Sequence, residues 1–354
     1  MSIGAVSGMV RNGLLAELVN DSTATQTQLD KLTQQSASGL VAETYGGLGN
    51  AASVSIDLRP QMTQVQAWQQ SISVANGNLD TTQNVLGQLE SIATNFSSQT
   101  LSVSMQSASG AASVAVEAKS ALQQVVSLLN TQTNGQYAFA GTDSANPPIG
   151  STLVAWSTSA AAAGGVVGGL NSTNATATVA SLVAQVSTWN LASPGSPAAV
   201  GPLPTAVQAQ TGEGQSVPMA FVAGQNQFAP SAAGGTGSYV RDLVAGLAGL
   251  AALGTPSASP AALESYGVAI SQLLQGAGTA ITTEEAGFGQ VQSQLTTQST
   301  SLSDTLTGLT TQVSGAENVD LAATATALSQ VQTQLQASFQ LIAGLKQLSL
   351  TSYL

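Results

Sequence analysis

Beyond Pro60 the hydrophobic positions of the chain fall on a seven-residue beat. Val65, Ile72, Leu79 and Leu86 are spaced by seven, and Trp68, Ala75, Thr82, Leu89 and Phe96 follow three residues behind, with Gln, Asn and Ser on the other faces. Paired rows of this kind put an apolar seam on a helix that seeks a partner helix. Gly77 and Gly87 lie inside it and weaken it by about 1 kcal/mol each relative to Ala, so packing rather than propensity has to hold it. Ala115, Ala118, Leu122, Val125 and Leu129 predict a second helix over 111–130, folded back by the short polar turn 107–110.

The C-terminal third repeats the pattern more strongly. Leu274, Ile281, Phe288, Leu295, Leu302 and Leu309 form an unbroken row at intervals of seven, with Ile270, Ala277 and Val291 beside it. A last helix is expected from about 318. Leu321, Ala325, Leu328, Leu335, Ile342 and Leu345 lie on one side, and Val331, Phe339 and Leu348 widen the stripe. Asp320 stands near its start, where a carboxylate favours the positive end of the helix. At the other end of the chain, Ile3, Val6, Val10, Leu14 and Leu18 share a face, and Leu29 and Leu32 continue the stripe past polar residues 20–28. This stripe has no partner in its own segment, and the matching stripe of the last helix is the nearest candidate.

Between Gly141 and Gly237 the texture changes to proline, glycine and alanine. Runs such as Thr176 to Val186 and Ser216 to Val222 read as strands between turns, and 157–169 reads as a loop of low complexity. The expected fold is therefore mainly α: a long antiparallel coiled-coil bundle built from both termini, with a small β-rich insert. The expected divisions are 1–34 with 320–354 as terminal helices, 35–140 with 238–319 as helical core, and 141–237 as the insert.

Composition narrows the chemistry. The 354 residues include no His and no Cys. That removes the commonest general base, the usual transition-metal ligands, thiolate nucleophiles and disulfides. The cationic residues are Arg11, Lys31, Arg59, Lys119, Arg241 and Lys346, scattered singly, which argues against nucleic-acid binding. Charged residues make up 6% of the chain, where an ordinary domain has roughly a quarter. A polar but weakly charged surface suits dense self-packing, and equally an acidic secreted protein. Arg11, Asn12, Glu17 and Asn20 interrupt the first apolar positions, so no cleaved signal peptide is expected. Every apolar run is broken short of the ~18 residues of a membrane span, so no membrane insertion is expected.

Glu284 and Glu285 are the one pair of adjacent carboxylates; on a helix they point about 100° apart, and the expected role is a solvated face rather than an acid–base site. A nucleophilic Ser or Thr would need an unusual lysine partner. The glycine-rich stretch 163–169 lacks the lysine and the helix start of a phosphate loop. Trp68 and Phe96, at heptad positions, are expected in the core. No catalytic, cofactor or metal residues are proposed, and the chain is not expected to be an enzyme.

Three segments carry a resemblance. Gln35-Ser36-Ala37-Ser38-Gly39-Leu40 resembles a Ser-Gly turn between two N-terminal helices, and Asn134-Gly135-Gln136-Tyr137-Ala138-Phe139-Ala140-Gly141-Thr142 resembles an exit from a helical core. Asp320-Leu321-Ala322, Leu335-Gln336-Ala337-Ser338-Phe339 and 348–354 resemble a C-terminus. Together they are similar to the bacterial flagellins and hook-associated proteins of the flagellum, over 1–148 and 238–354. Two departures point within that family to a junction protein between hook and filament, or to a flagellin of junction-protein type: Thr44-Tyr45-Gly46-Gly47-Leu48-Gly49-Asn50 replaces the usual acidic segment, and the chain lacks a Leu-Leu-Arg ending.

The resemblance implies an extracellular structural subunit, exported through the flagellar type III apparatus without signal cleavage and helped by an export chaperone. It implies association with copies of itself and with other axial proteins, the flagellin and hook-associated proteins. The expected subunit interface is Val10, Leu14, Leu18, Leu29, Leu32, Leu321, Leu328, Leu335, Phe339, Ile342, Leu345 and Leu348. A filament flagellin is the close alternative, and a secreted coiled-coil adhesin or tether, with the insert as its head, is the alternative of another class. The helix segment Gly87-Gln88-Leu89-Glu90-Ser91-Ile92 lacks the arginine carried by flagellins that mammalian receptors sense, which implies a poor immune agonist.

Overall fold

The structure, a computed structural model, describes residues 3–102, 107–157, 159, 163–188, 205–230, 234–254 and 258–350; at 3–15, 156–157, 164, 219–220 and 345–350 it describes the backbone alone. The chain is mainly α-helical and forms two compact units, 1–66 with 304–354, and 67–303.

In the first unit, α1 (Ile3–Ser38) packs against α9 (Leu321–Leu350). The two run antiparallel, because the end of α1 is joined to the start of α9 by a short bridge, Leu40 opposite Asn318. The same unit holds the first turns of α2 (Ala52–Thr100) and the last turns of α8 (Pro260–Glu317). Helix α2 begins before Pro60 and not after it. A 3-10 turn, Gly49–Ala51, runs straight into it. Proline leaves the carbonyl of Ile56 without its helical donor, and Ile56 lies at an exposed turn where water can serve that carbonyl.

In the second unit the heptad rows find each other. Ile72, Ala75, Leu79, Leu86 and Leu89 of α2 are buried, as are Leu274, Ala277, Ile281, Phe288 and Leu295 of α8. Burying a side chain of that size is worth about 1.5–3 kcal/mol, so these rows outweigh the weak propensity of a Gly- and Thr-rich helix. The helices run antiparallel: Gln292 donates to the Asp80 carboxylate at 2.5 Å, and further along α2, Gly87 faces Glu285 and Ala93 faces Gly278. Helix α3 (Ala108–Leu129) starts at a Ser107 cap whose hydroxyl accepts from the Gly110 amide at 3.1 Å. Helix α7 (Tyr239–Ala251) packs against α3 and is buried at every residue but Arg241.

A tight hairpin, β1 (Gln132–Thr133) with β2 (Gln136–Tyr137), leaves the core after α3. Both residues of its turn, Asn134 and Gly135, have positive φ (54° and 78°), as a two-residue mirror-image turn requires. Phe139 follows, fully buried. The short helices α4 (Leu153–Ser157) and α5 (Ala163–Val167) lead to α6 (Ala175–Ser187). The strand expected over Thr176 to Val186 is therefore this helix. Its buried positions, Ala175, Thr178, Val179, Leu182, Val183 and Val186, recur at three and four, and that period outweighs the β-propensity of its Val and Thr. The strand expected over Ser216 to Val222 is present as β4 (Gln215–Ala220), antiparallel to β3 (Val207–Gly212). Helices α5 and α6 pack on α7, and α4 on α3.

Candidate assembly surface

The α1 stripe continues straight through its polar stretch. Leu18, Ser22, Thr25, Leu29 and Leu32 alternate at four and three residues, with Ser22 buried and the others half-buried, while the neighbouring positions face water. Small hydroxyl residues thus occupy seam positions that the sequence pattern reads as a gap. Thr23, Thr25, Thr27 and Thr33 each donate their hydroxyl to the carbonyl four residues back, at 2.7–3.0 Å, which satisfies them without charge. The facing stripe of α9 is Thr324, Leu328, Val331, Leu335, Ser338 and Ile342, at the same alternation, with Val331 most deeply buried among its apolar members. Asp320 caps α9: its carboxylate accepts from the Ala322 and Ala323 amides at 2.9 and 3.0 Å.

The expected interface residues therefore divide. Leu18, Leu29, Leu32, Leu328, Leu335 and Ile342 lie half-buried on the seam stripes of α1 and α9. Leu321 (55%) and Phe339 (48%) stand in solvent. So do Val19 (51%) and Leu341 (61%), which the heptad stripes omit because each lies off the seam face. Val10, Leu14, Leu345 and Leu348 have side chains outside the described residues.

The two helices are fastened at one end. Gly39 leaves α1 at φ 72°, a left-handed conformation that glycine adopts without strain, and its amide closes on Gln35 at 2.8 Å. The chain then pairs with the α8–α9 link: Val41 N–H donates to Glu317 at 2.7 Å and Val319 N–H to Gly39 at 3.0 Å. The Gln35 side chain donates to the Val41 carbonyl at 2.8 Å. Arg59 completes the joint with a two-pronged pair to the Glu317 carboxylate, Nε to Oε1 at 3.0 Å and Nη2 to Oε2 at 2.6 Å. That hydrogen-bonded guanidinium holds the Glu317 carboxyl below its usual range.

In the second unit the carboxylates of Glu284, Glu285 and Asp242 are buried or partly buried. Glu284, expected on a solvated face, is buried. Its Oε1 accepts the backbone amides of Gln227, Phe228 and Ala229 at 2.6, 3.0 and 3.0 Å, and so anchors the segment that leads from β4 into α7. Sequence periodicity places Glu284 on the seam face beside Ile281 and Phe288, and that is the signal that could have found it. Gly287 lets Phe228 lie against α8, where its ring meets Phe288 edge-on at 5.1 Å between centroids. Glu285 points away, and burial followed by the charge of Glu90 pushes its carboxyl up. Burial also pushes up Asp242, which accepts from the Thr236 amide at 2.5 Å. Among the described residues no cluster of acidic side chains has metal-ligating geometry, and no helix is long and apolar enough to cross a membrane.

These two ends match known sequences. The family model of the bacterial flagellin N-terminal helical region matches residues 11–144, and that of the bacterial flagellin C-terminal helical region matches residues 271–354. No curated protein matches the chain. The matched stretches contain α1 from residue 11 onward, α2 and α3 with the β1–β2 hairpin, and α8 from residue 271 with α9. On these two matches, which together span more than half of its length, the chain belongs to the bacterial flagellin family.

Proposed function

We propose that the chain is the hook-filament junction protein, hook-associated protein 3. It is a structural subunit of the bacterial flagellum, as its flagellin terminal regions imply. The finer assignment rests on the segment 134–142. There a hairpin, a buried Phe139 and a left-handed Gly141 form the exit from the helical core, in the Tyr137-Ala138-Phe139-Ala140-Gly141 sequence that resembles junction proteins. In this reading the subunit is exported uncleaved, escorted by a chaperone, and assembles at the distal end between hook and filament. Its contacts with neighbouring copies, with flagellin and with other hook-associated proteins come from the terminal helices. The exposed Val19, Leu321, Phe339 and Leu341 supply apolar area outside the α1–α9 seam.

Deleting the gene tests the assignment. A junction protein leaves hooks without filaments and flagellin in the medium. The second reading, a filament flagellin, accords equally with the two family regions matched; it predicts instead that sheared filaments consist mainly of this chain.

A further inference from the structure

The chain contains three Asn-Gly pairs, at 12–13, 76–77 and 134–135. Asn-Gly is the dipeptide in which a backbone nitrogen most readily attacks the preceding side chain, because glycine has no Cβ to obstruct the approach. Two of the three are locked. Asn12-Gly13 lies within α1 and Asn76-Gly77 within α2. There the glycine amide is committed to the helical ladder and the asparagine backbone is fixed in the α conformation, which holds the side-chain carbonyl away from that nitrogen. Asn76 is restrained further, since its Oδ1 is buried.

Asn134-Gly135 differs in each respect. It forms the turn of the β1–β2 hairpin, both residues are exposed, and no hydrogen bond holds the Asn134 side chain or the Gly135 amide among the described residues. Asn134 is also the one described non-glycine residue with positive φ, at 54°. A residue held there by a turn of only two paired positions on either side has little to stop its ψ from rotating.

We propose that Asn134 is a site of spontaneous deamidation in the folded protein. The Gly135 nitrogen bonds to Cγ of Asn134 and loses its proton, and the side-chain nitrogen leaves as ammonia, giving a five-membered succinimide. Water then opens the ring at either carbonyl to give aspartate or isoaspartate at 134. The net change is one water consumed and one ammonia released. The isoaspartyl product carries an extra methylene in the main chain. A two-residue turn cannot absorb it, so the pairing of Gln132 with Tyr137 and of Thr133 with Gln136 is lost. Thr133 Oγ1 lies 3.4 Å from the hydroxyl of Thr81 on α2, so that contact goes with the pairing.

The test is peptide mapping by mass spectrometry of the purified full-length chain after incubation at mildly alkaline pH, with the urea-unfolded chain in parallel. The expected result is an amide-to-acid mass gain at Asn134 about tenfold faster than at Asn12 or Asn76 in the folded chain, the rate ratio that roughly one lost backbone hydrogen bond imposes. In the unfolded chain all three sites should convert at similar rates. An Asn134→Asp chain of unchanged helical content should show no further gain in that peptide. Comparable conversion at Asn76 or Asn12 in the folded chain overturns the proposal. So does an intact Asn134 over the time in which the unfolded chain converts.

Discussion

At the scale of single residues, Glu284 is a buried anchor of the second unit. One of its oxygens accepts three successive backbone amides, which ties the entry to α7 onto α8. Truncation to Glu284→Ala leaves three donors without this partner, the Ala229 amide in a buried place and those of Gln227 and Phe228 in part-buried ones. A hydrogen bond is worth about 0.5–1.5 kcal/mol net, and a donor left unpaired adds a penalty of about 1–3 kcal/mol, so a loss of about 3 kcal/mol is expected in unfolding free energy. Glu284→Gln keeps an acceptor of the same reach and should lose about half as much. Urea titration followed by helical ellipticity measures both; equal midpoints for Glu284→Ala and the wild type would show that the anchor is idle. Gly287→Ala should also destabilise, by about 1–3 kcal/mol, because the methyl group meets the Phe228 ring.

At the scale of elements, the terminal pair poses two separable questions: what holds α1 to α9, and what each presents outward. Val331 sits at the centre of the α9 stripe, 5% exposed, and Val331→Ala should loosen the pair by about 1–2 kcal/mol, seen as faster amide exchange in both helices. Phe339→Ala and Leu341→Ala lie off the seam and should change monomer stability by less than about 0.5 kcal/mol. Both should nevertheless reduce self-association measured by sedimentation. If they leave association unchanged, the outward face of α9 is not the assembly surface. The same pair shows what sequence reading can reach. The row from Leu274 to Leu309 was legible because seven-residue periodicity is a direct image of helix geometry, and every member is buried. Ser22, Thr25, Thr324 and Ser338 were not legible as seam positions, since small hydroxyl residues break the apolar pattern that reveals a seam. Helix α6 reads as a strand in sequence because Val and Thr favour strands locally, whereas burial at three and four decides the outcome. The seam position of Glu284 was legible beside Ile281 and Phe288, but its partners were not, because they are backbone amides 55 to 57 residues away.

At the scale of the whole molecule, acid should act on the two units in opposite directions. In the first unit, the folded-state pKa of Glu317 lies below its ordinary 4.5 because Arg59 hydrogen-bonds the ionised form. Its stabilisation is therefore present above that ordinary value and is lost as pH falls through the depressed one. In the second unit, burial raises Asp242 above 3.8, and burial with the charge of Glu90 raises Glu285 above 4.5. Groups of this kind are better accommodated when protonated. Their contribution is fully present below the ordinary value and is lost as pH rises through the raised one. On acidification from neutrality, Asp242 and Glu285 take up protons first and ease the second unit, while the Arg59–Glu317 joint still holds. Only below about the ordinary carboxylate range does the joint give way, freeing the Val41 and Val319 amides that bridge α1 to the start of α9. Amide exchange at stepped pH, normalised to intrinsic rates, should show protection at Val41 and Val319 collapsing while protection in α7 holds or rises. Glu317→Gln should abolish the acid response of the joint alone, and Asp242→Asn that of α7 alone. A parallel loss of protection in both units across the same pH steps would mean that general charge repulsion, rather than these three carboxyls, governs the acid response.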